Sequence, residues 1–325
     1  MTAVRACAAG IWAVLRAPGL AIVITILTIA TMLPFALTVG DRLREALGNQ
    51  PPINLDAEEI DAEWWMAFRD QARGLEATFT PAVIGFAAPL ENVSAVADGT
   101  RRPVILLLPV ALYGLLWALL WGGLIQRFAE GRRRGVRAFV QSGLRTLPRF
   151  VVISLAAAAV ATILYLTVHA LLFGPIYAWG AAVAGSERNA FFWRVVLYLV
   201  FGSLLALLSV IADYTRVVIG LTTSASVRES GRAAIAFVRA HIGSVAAVFL
   251  LNGVLLVLLL VLYGLVDRRF SGWRGVILGQ AYIVARLGIR LTSIASEVRL
   301  FRSLSSDAAH GVSIDREKPG PPAAT

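Results

Sequence analysis

Six long apolar runs, separated by shorter polar connections, constrain this chain more than any other feature of its sequence. They are Leu20–Val39, Pro103–Ile125, Phe150–Phe173, Phe191–Ala212, Ser244–Val266 and Val276–Ala295. Each run can cross a hydrocarbon layer of ~30 Å as a helix, which takes roughly 20 residues. Because lipid offers the backbone no hydrogen-bond partners, each run has to pair its own N–H and C=O groups. The sequence therefore predicts an all-α polytopic membrane helical bundle with about six transmembrane helices.

The composition agrees with a membrane protein and excludes several classes of site. The 325 residues are 58% hydrophobic and 15% charged, which is far from the balance of a soluble protein. The formal net charge is +10, and Lys318 is the only lysine among 30 basic residues. In a membrane protein such an excess reflects loops that face an anionic leaflet, so it indicates no nucleic-acid partner. Cys7 is the only cysteine, and His169, His241 and His310 lie in separate segments, so we expect no disulfide, metal site or cofactor.

The distribution of arginines predicts the orientation. The connection 126–149 carries seven arginines against Glu130, and 214–242 carries four against Glu229, whereas 40–102 carries eleven acids and six arginines. Positive charge stays cytoplasmic. We therefore expect a bacterial cytoplasmic (inner) membrane protein whose N- and C-termini are both cytoplasmic, with 40–102 as an extracytoplasmic acidic helical insertion. The short loop Asp267–Gly275 is basic as well and departs from this rule.

The membrane domain, 1–302, divides into three similar units, roughly 3–125, 133–213 and 226–297. Each begins with a short basic amphipathic segment and continues as a helical hairpin. Such segments lie flat on lipid headgroups, so we expect them to bind the anionic inner leaflet, with Pro18 and Pro148 breaking the first two before the chain enters the membrane. Repeats of this kind often bracket a binding site in transporters, although duplicated hairpins are also a simple way to build a bundle.

Two segments outside the predicted spans carry expectations of their own. In the insertion, Asp56 and Glu59 resemble the start of a helix that runs to about Glu76, with Trp64 and Trp65 anchoring at the headgroups. The apolar stretch 79–90 is too short to span, so it either dips into the interface or caps the bundle. Residues 303–325 are polar and end in a proline-rich stretch, which predicts a disordered cytoplasmic tail.

Several polar side chains fall at membrane depth. In the last run they recur at three- and four-residue steps: Gln280, Tyr282, Arg286, Arg290, Ser293 and Glu297. Asn252 lies halfway along the fifth run, and Asp213 closes the fourth. We expect Asp213 and Glu297 to compensate Arg216 and Arg290, and Asn252 to face Arg286. These contacts are either structural, contributing about 0.6–2 kcal/mol each, or they form a path or pocket for an anionic substrate or lipid headgroup, because arginine suits phosphate and carboxylate.

Several sequence segments resemble known proteins. Asp213-Tyr214-Thr215-Arg216, the stretch 236–241 and Leu251-Asn252-Gly253, together with 78–88 and 278–286, resemble a family of uncharacterised bacterial multi-pass membrane proteins. The aspartate–tyrosine–x–arginine turn is also similar to the membrane domain of glycerophosphodiester phosphodiesterases. That enzyme's catalytic domain has no counterpart in this sequence, so the resemblance implies fold and localisation and no activity.

No motif identifies a reaction. The spans hold no serine–lysine pair, paired aspartates or His/Glu metal constellation. The leading hypothesis is therefore a non-enzymatic membrane component, a scaffold or accessory protein that binds lipid or a membrane protein partner. The alternative is a small transporter or lipid-handling protein that uses the polar stripe around Arg286, Arg290 and Asn252.

Overall fold

The computed structural model describes residues 2–47, 62–79, 86–100, 103–131, 135–222, 226–267 and 272–316, without the side chains at 46–47, 62–64, 272 and 306–316. These residues form helices and turns, and no strand occurs among them. The α-helices are α1 (Ala3–Leu15), α2 (Pro18–Leu47), α3 (Ala62–Gln71), α4 (Ala87–Asp98), α5 (Leu107–Glu130), α6 (Val136–Leu164), α7 (Tyr177–Val183), α8 (Glu187–Leu221), α9 (Val227–Ala240), α10 (Ile242–Asp267) and α11 (Gly272–Arg316). Short 3-10 turns lie at Glu76–Thr78 and Val104–Leu106. The predicted all-α fold is confirmed.

Five helical stretches are long and apolar enough to cross a membrane, which agrees with a multi-pass membrane protein. They are Pro18–Glu45, Val104–Glu130, Val136–Val183, Glu187–Leu221 and Ile242–Asp267. Many of their large apolar side chains are exposed, as lipid-facing residues are: Ile26 is 57% exposed and Leu250 is 63% exposed. The sixth predicted span, Val276–Ala295, forms part of α11. Its polar residues set it apart from the other five, so a count of six stays a prediction.

The core lies where α11 packs among the other helices. Leu124 on α5, Phe150 on α6, Val217 on α8 and Ile294 on α11 are fully buried in one cluster. Small residues let the backbones approach closely, as is usual between membrane helices. A Cβ at Gly10 of α1 would lie 2.9 Å from the carbonyl oxygen of Thr292 on α11. The first helix is thus packed tightly along the last one.

Pro148 does not break its helix, contrary to the sequence prediction. Residues 136–183 form one continuous stretch of 48 residues, with π-helical turns at Tyr165–His169 and Leu172–Ile176. The part before Pro148 packs against α5 instead of lying flat, since Gly122 of α5 and Gly143 of α6 are in close contact. Tight packing against a neighbouring helix holds this half in line with the rest. An interior proline is tolerated in membrane helices where neighbouring groups satisfy the freed carbonyl.

The other two amphipathic segments are separate helices. Pro18 begins α2, as predicted, and α9 ends at Ala240 with His241 as its C-cap. The apolar side of α9 is buried against protein, with Phe237 in ring contact with Tyr214 of α8, while its arginines at 228, 232 and 239 are exposed. A capping box between Ser226 and Glu229 starts α9. Hydrogen bonds to the Glu229 carboxylate from the backbone N–H and the side chain of Ser226 hold the pKa of Glu229 below its usual value.

Between α2 and α5 the described chain contains α3, α4 and the two 3-10 turns. The proposed helix start at Asp56 lies outside the described residues, and α3 ends at Gln71, before the predicted Glu76. Trp65 packs with Phe68 and Phe79, with ring centroids 5.8 and 6.0 Å away, so it belongs to a local aromatic cluster. Residues 80–85 lie outside the described part, and the end of 79–90 forms the first turn of α4. At the other end of the chain, α11 continues to Arg316, past the predicted boundary of the tail at 303.

Candidate functional site

A cavity of about 700 Å³ lies among α2, α5, α6, α8, α10 and α11. Its volume is in the range of small-molecule binding sites. All six helices contribute polar or aromatic side chains that were separate in the sequence analysis. Those used below are Thr25, Thr28, Trp121, Ser154, Arg216, Asn252, Arg286, Arg290 and Ser293.

Asp213 joins two arginines of the cavity wall. Its Oδ1 accepts a hydrogen bond from Arg216 Nη1 at 2.6 Å, and its Oδ2 lies 3.7 Å from Arg290 Nη1. Asp213 is 6% exposed. Arg216 also donates from Nη2 to Ser154 Oγ at 3.1 Å. The carboxylate therefore neutralises Arg216 and fixes it in place, and contributes only partly to Arg290.

Trp121 supports both guanidinium groups. The Cζ atoms of Arg216 and Arg290 each lie 5.5 Å from its ring centroid, within the range of a cation–π interaction. The indole is 2% exposed and is held in the main core cluster. A rigid aromatic face thus positions two cationic side chains from different helices, α8 and α11. Sequence analysis missed this role, because a tryptophan in an apolar run carries no signal for it.

The cavity wall carries an excess of positive charge. Arg216, Arg286 and Arg290 all line it, and Asp213 pairs with Arg216 and Arg290. Arg286 forms no ion pair with any residue in the described part of the chain, and Arg290 keeps 43% of its side chain exposed. Guanidinium groups bind carboxylate and phosphate through two parallel hydrogen bonds. The arrangement is therefore suited to an anion.

Asn252 contributes a buried polar atom to the same cavity. The residue is 6% exposed, and its Nδ2 donates to the carbonyl oxygen of Val248 at 2.9 Å on the same helix. Its Oδ1 has no hydrogen-bond partner among the described residues. Asn252 and Arg286 line one cavity, as the prediction that they face each other requires, but no hydrogen bond joins them within the described ranges.

Glu297 and Gln280 lie away from the cavity wall. Ser293 donates to Glu297 Oε1 at 2.8 Å, and the carboxylate forms no ion pair within the described residues. Glu297 does interact electrostatically with Asp213, Arg290 and Arg216. Asp213 therefore forms the ion pairs with Arg216 and Arg290 that were expected of Asp213 and Glu297 together. Gln280 is exposed on the surface of α11.

A second polar cluster ties α4 to α6 and α8, and sequence analysis missed it. Tyr165 donates to the carbonyl of Val96 at 2.6 Å, and His169 Nε2 lies 3.0 Å from the carbonyl oxygen of Ala97. Both belong to a π-helical turn, a feature that often marks functional positions. The two residues are four positions apart, a spacing that puts them on one helix face. This spacing is the signal that could have revealed the contact.

Asp98 is the charged member of this cluster. It accepts hydrogen bonds from the Tyr198 hydroxyl and, at 3.2 Å, from Arg194 Nη2. The hydrogen bond from Tyr198, with smaller contributions from Ser94 and Arg194, holds the pKa of Asp98 below its usual value against the effect of partial burial. At the other end of α4, the backbone N–H of Phe86 donates to Asp267 Oδ2 on α10 at 3.2 Å. Helix α4 therefore bridges the second and third hairpins.

Comparisons with protein-family models, with curated proteins and with solved structures found no match. The resemblance to bacterial multi-pass proteins and to the glycerophosphodiester phosphodiesterase membrane domain stays a prediction. No group of histidine, cysteine and acidic side chains in the described ranges is arranged to hold a metal ion.

Proposed function

We propose that this chain is a multi-pass protein of a bacterial inner membrane that binds an anionic amphiphile, such as a lipid with a charged headgroup, inside its helical bundle. The observation that carries the proposal is the cavity of about 700 Å³ lined by Arg286, Arg290 and Asn252. A bundle packed solid at these side chains would favour a purely structural role for them. An open arginine-lined space instead favours the transporter or lipid-handling alternative over the scaffold.

The chemistry of the walls supports an amphiphile over a small free anion. Arginines and hydroxyls contribute polar groups to the lining, while Ile29, Phe249 and Leu256 contribute apolar ones. A ligand with a charged head and an acyl chain satisfies both kinds of wall, because the chain removes apolar surface from contact with water. The proposal includes no chemical step, and the protein is proposed to be non-enzymatic.

The proposed topology has six spans, with α11 supplying the sixth, and both termini in the cytoplasm. It rests on the arginine-rich connections 126–149 and 214–242, which positive charge keeps on the cytoplasmic side. In this orientation α4 lies on the extracytoplasmic side, and the exposed arginines of α9 face the anionic inner leaflet.

A scaffold or accessory protein is the second candidate. The exposed basic side of α9, with Arg228, Arg232 and Arg239, is the observation that favours it. Such a surface suits an anionic leaflet or an acidic partner protein. A scaffold requires no movement of ligand through the bundle, and this difference separates the two candidates by experiment.

Transbilayer movement of a labelled anionic phospholipid in reconstituted vesicles tests the proposal. A lipid-handling protein accelerates this movement. Arg286→Leu should lose the acceleration at an unchanged reconstitution yield, because the wild-type side chain has no ion pair to lose within the described residues. Arg188→Leu, an exposed arginine at the far end of α8, is the matched control and should behave as wild type. No acceleration by the wild-type protein would favour the scaffold, and degradation of Arg286→Leu would make that arginine structural.

A further inference from the structure

The hydrogen-bonding groups of the cavity wall restrict the ligand beyond its charge. We infer that the bound headgroup carries, besides its anionic group, at least one hydroxyl that donates a hydrogen bond to Asn252 Oδ1. The inference rests on the proposed function and specifies the ligand class of the same cavity.

The orientation of the Asn252 amide is fixed by its neighbour. The carbonyl oxygen of Val248 can only accept a hydrogen bond, so the NH₂ group of Asn252 has to face it, at 2.9 Å. The amide oxygen is then left without a partner, in a residue that is 94% buried and lines the cavity. A buried acceptor without a hydrogen bond is costly, so a ligand that supplies a donor at this point is favoured over one that does not.

The hydroxyl groups of the wall cannot supply that donor, because their hydrogens are already used. Each donates to an acceptor inside the protein at 2.8–2.9 Å. The pairs are Thr25 with the Ala21 carbonyl, Thr28 with the Ile24 carbonyl, Ser154 with the Phe150 carbonyl, and Ser293 with the Glu297 carboxylate. Towards the cavity these side chains present only oxygen lone pairs. The wall therefore offers several neutral acceptors, and its charged donors are the arginines.

Lipid headgroups commonly carry one of two hydrogen-bond donors, an ammonium group or a hydroxyl. The positive charge of the cavity selects between them. An ammonium group would be repelled by Arg286, which forms no ion pair among the described residues, and by Arg290, which Asp213 at 3.7 Å and Glu297 compensate without a close ion pair. A neutral hydroxyl experiences no such repulsion. The ligand class that fits is a phosphate or carboxylate joined to a hydroxyl-bearing group, and an alkyl chain would occupy the apolar wall.

A pair of anionic lipids, one with hydroxyls in its headgroup and one without, tests the inference. Phosphatidylglycerol and phosphatidylmethanol carry the same phosphodiester charge and acyl chains, but phosphatidylmethanol has no hydroxyl. We expect the purified full-length protein, titrated with each lipid in mild detergent and measured by native mass spectrometry, to bind phosphatidylglycerol roughly five- to tenfold more tightly, the factor that one hydrogen bond contributes. Zwitterionic phosphatidylcholine should bind more weakly than either.

Two variants test whether the Asn252 side chain produces the preference for phosphatidylglycerol over phosphatidylmethanol. Asn252→Leu replaces the amide with an apolar group of similar shape, which is compatible with folding at a buried position, and should reduce the ratio of the two affinities to about one. Arg286→Gln should weaken both anionic lipids by the same factor and leave the ratio unchanged. A ratio that Asn252→Leu does not change would overturn the inference.

The remaining outcomes separate this inference from the proposed function. If both anionic lipids bind equally well but better than phosphatidylcholine, the hydroxyl inference is wrong and the proposed function stands. If no lipid is preferred, both are wrong. Competition by water-soluble glycerol phosphate identifies the source of the headgroup chemistry: effective competition indicates a soluble ligand, and competition only by the lipid indicates a membrane ligand, with the same hydroxyl contact in each case.

Discussion

Asp213 on α8 and Arg290 on α11 face each other across the bundle, with 3.7 Å between Oδ2 and Nη1. The same carboxylate holds Arg216 at 2.6 Å through its other oxygen. One buried acid therefore joins a predicted span to the helix whose membrane crossing is least clear from its composition. The geometry of Arg216 and Arg290 at the cavity depends on Asp213.

Asp213→Asn should destabilise the protein by about 3–5 kcal/mol, because it leaves buried arginine charge without its partner. Asp41→Asn is the matched control, since Asp41 and Arg44 form a pair with the same three-residue spacing at 2.8 Å but with side chains 66% and 76% exposed. Exposed pairs contribute roughly 0–1 kcal/mol. Thermal unfolding in detergent measures the effect of each substitution on stability. Equal effects would show that burial does not strengthen the Asp213 pair.

Gly122→Ala should destabilise the contact between α5 and α6. A Cβ at this position would lie 2.8 Å from the carbonyl oxygen of Ser142 and 2.9 Å from Gly143 Cα, and these backbone atoms cannot move independently of the helix. Gly202→Ala on α8 is the control, because a Cβ there meets no atom within 4 Å. We expect a clear fall in melting temperature for Gly122→Ala and an effect within about 1 kcal/mol for Gly202→Ala. The reverse order would contradict the close packing of these helices.

Acid should release α4 from the bundle. The pKa of Asp98 is lowered in the folded protein, chiefly by the hydrogen bond from Tyr198, so its contribution is present above the unfolded pKa of ~3.9 and is lost as the pH falls through the folded value. Hydrogen exchange of the α4 amides, corrected for intrinsic rates, should show protection that decreases as the pH is lowered through this range.

Two tyrosine variants distinguish the contact of Tyr198 with the charged Asp98 from the contact of Tyr165 with the neutral Val96 carbonyl. Tyr198→Phe removes the main cause of the shift and should flatten the pH dependence of protection. Tyr165→Phe removes a contact to the Val96 carbonyl and should lower protection without changing its pH dependence. Identical pH profiles for the two variants would exclude Asp98 as the group that titrates.

The proposed orientation predicts which surface positions are accessible from outside the cell. On a Cys7→Ser background, cysteine at the exposed positions Asn92 and Arg137 should react differently with a membrane-impermeant maleimide. Asn92→Cys should be labelled in intact cells, and Arg137→Cys only after permeabilisation. Labelling of Arg137→Cys in intact cells would show that the orientation is the reverse of the proposed one.

The elements that composition determines were predictable, and those that depend on packing were not. Apolar runs predicted the long helices, because backbone pairing in lipid leaves no other solution for them. The pairing of Asp213 with Arg216 was predictable from a local three-residue spacing. Pro148 misled the prediction, because its effect on the helix is overcome by the glycine contacts with α5, which no local pattern reveals.

The candidate site was only partly visible in the sequence. Arg286, Arg290 and Asn252 were predicted as intramembrane polar residues, but their position around one cavity depends on how α10 and α11 pack. Trp121 and the α4 contacts of Tyr165, His169 and Asp98 arise between residues far apart in the chain. Gln280 followed the helical spacing of the polar stripe and nevertheless lies on the surface, because spacing does not determine which part of a long helix meets the cavity.

The affinity of the purified protein for phosphatidylglycerol, compared between wild type, Arg286→Leu and Arg188→Leu, tests the central claim most directly. The account predicts that Arg286→Leu weakens binding by roughly tenfold or more, as expected for a hydrogen bond to a charged group, while Arg188→Leu stays within about twofold of wild type, a difference of less than ~0.5 kcal/mol. If Arg286→Leu binds the lipid as tightly as wild type, anion binding in this cavity is contradicted.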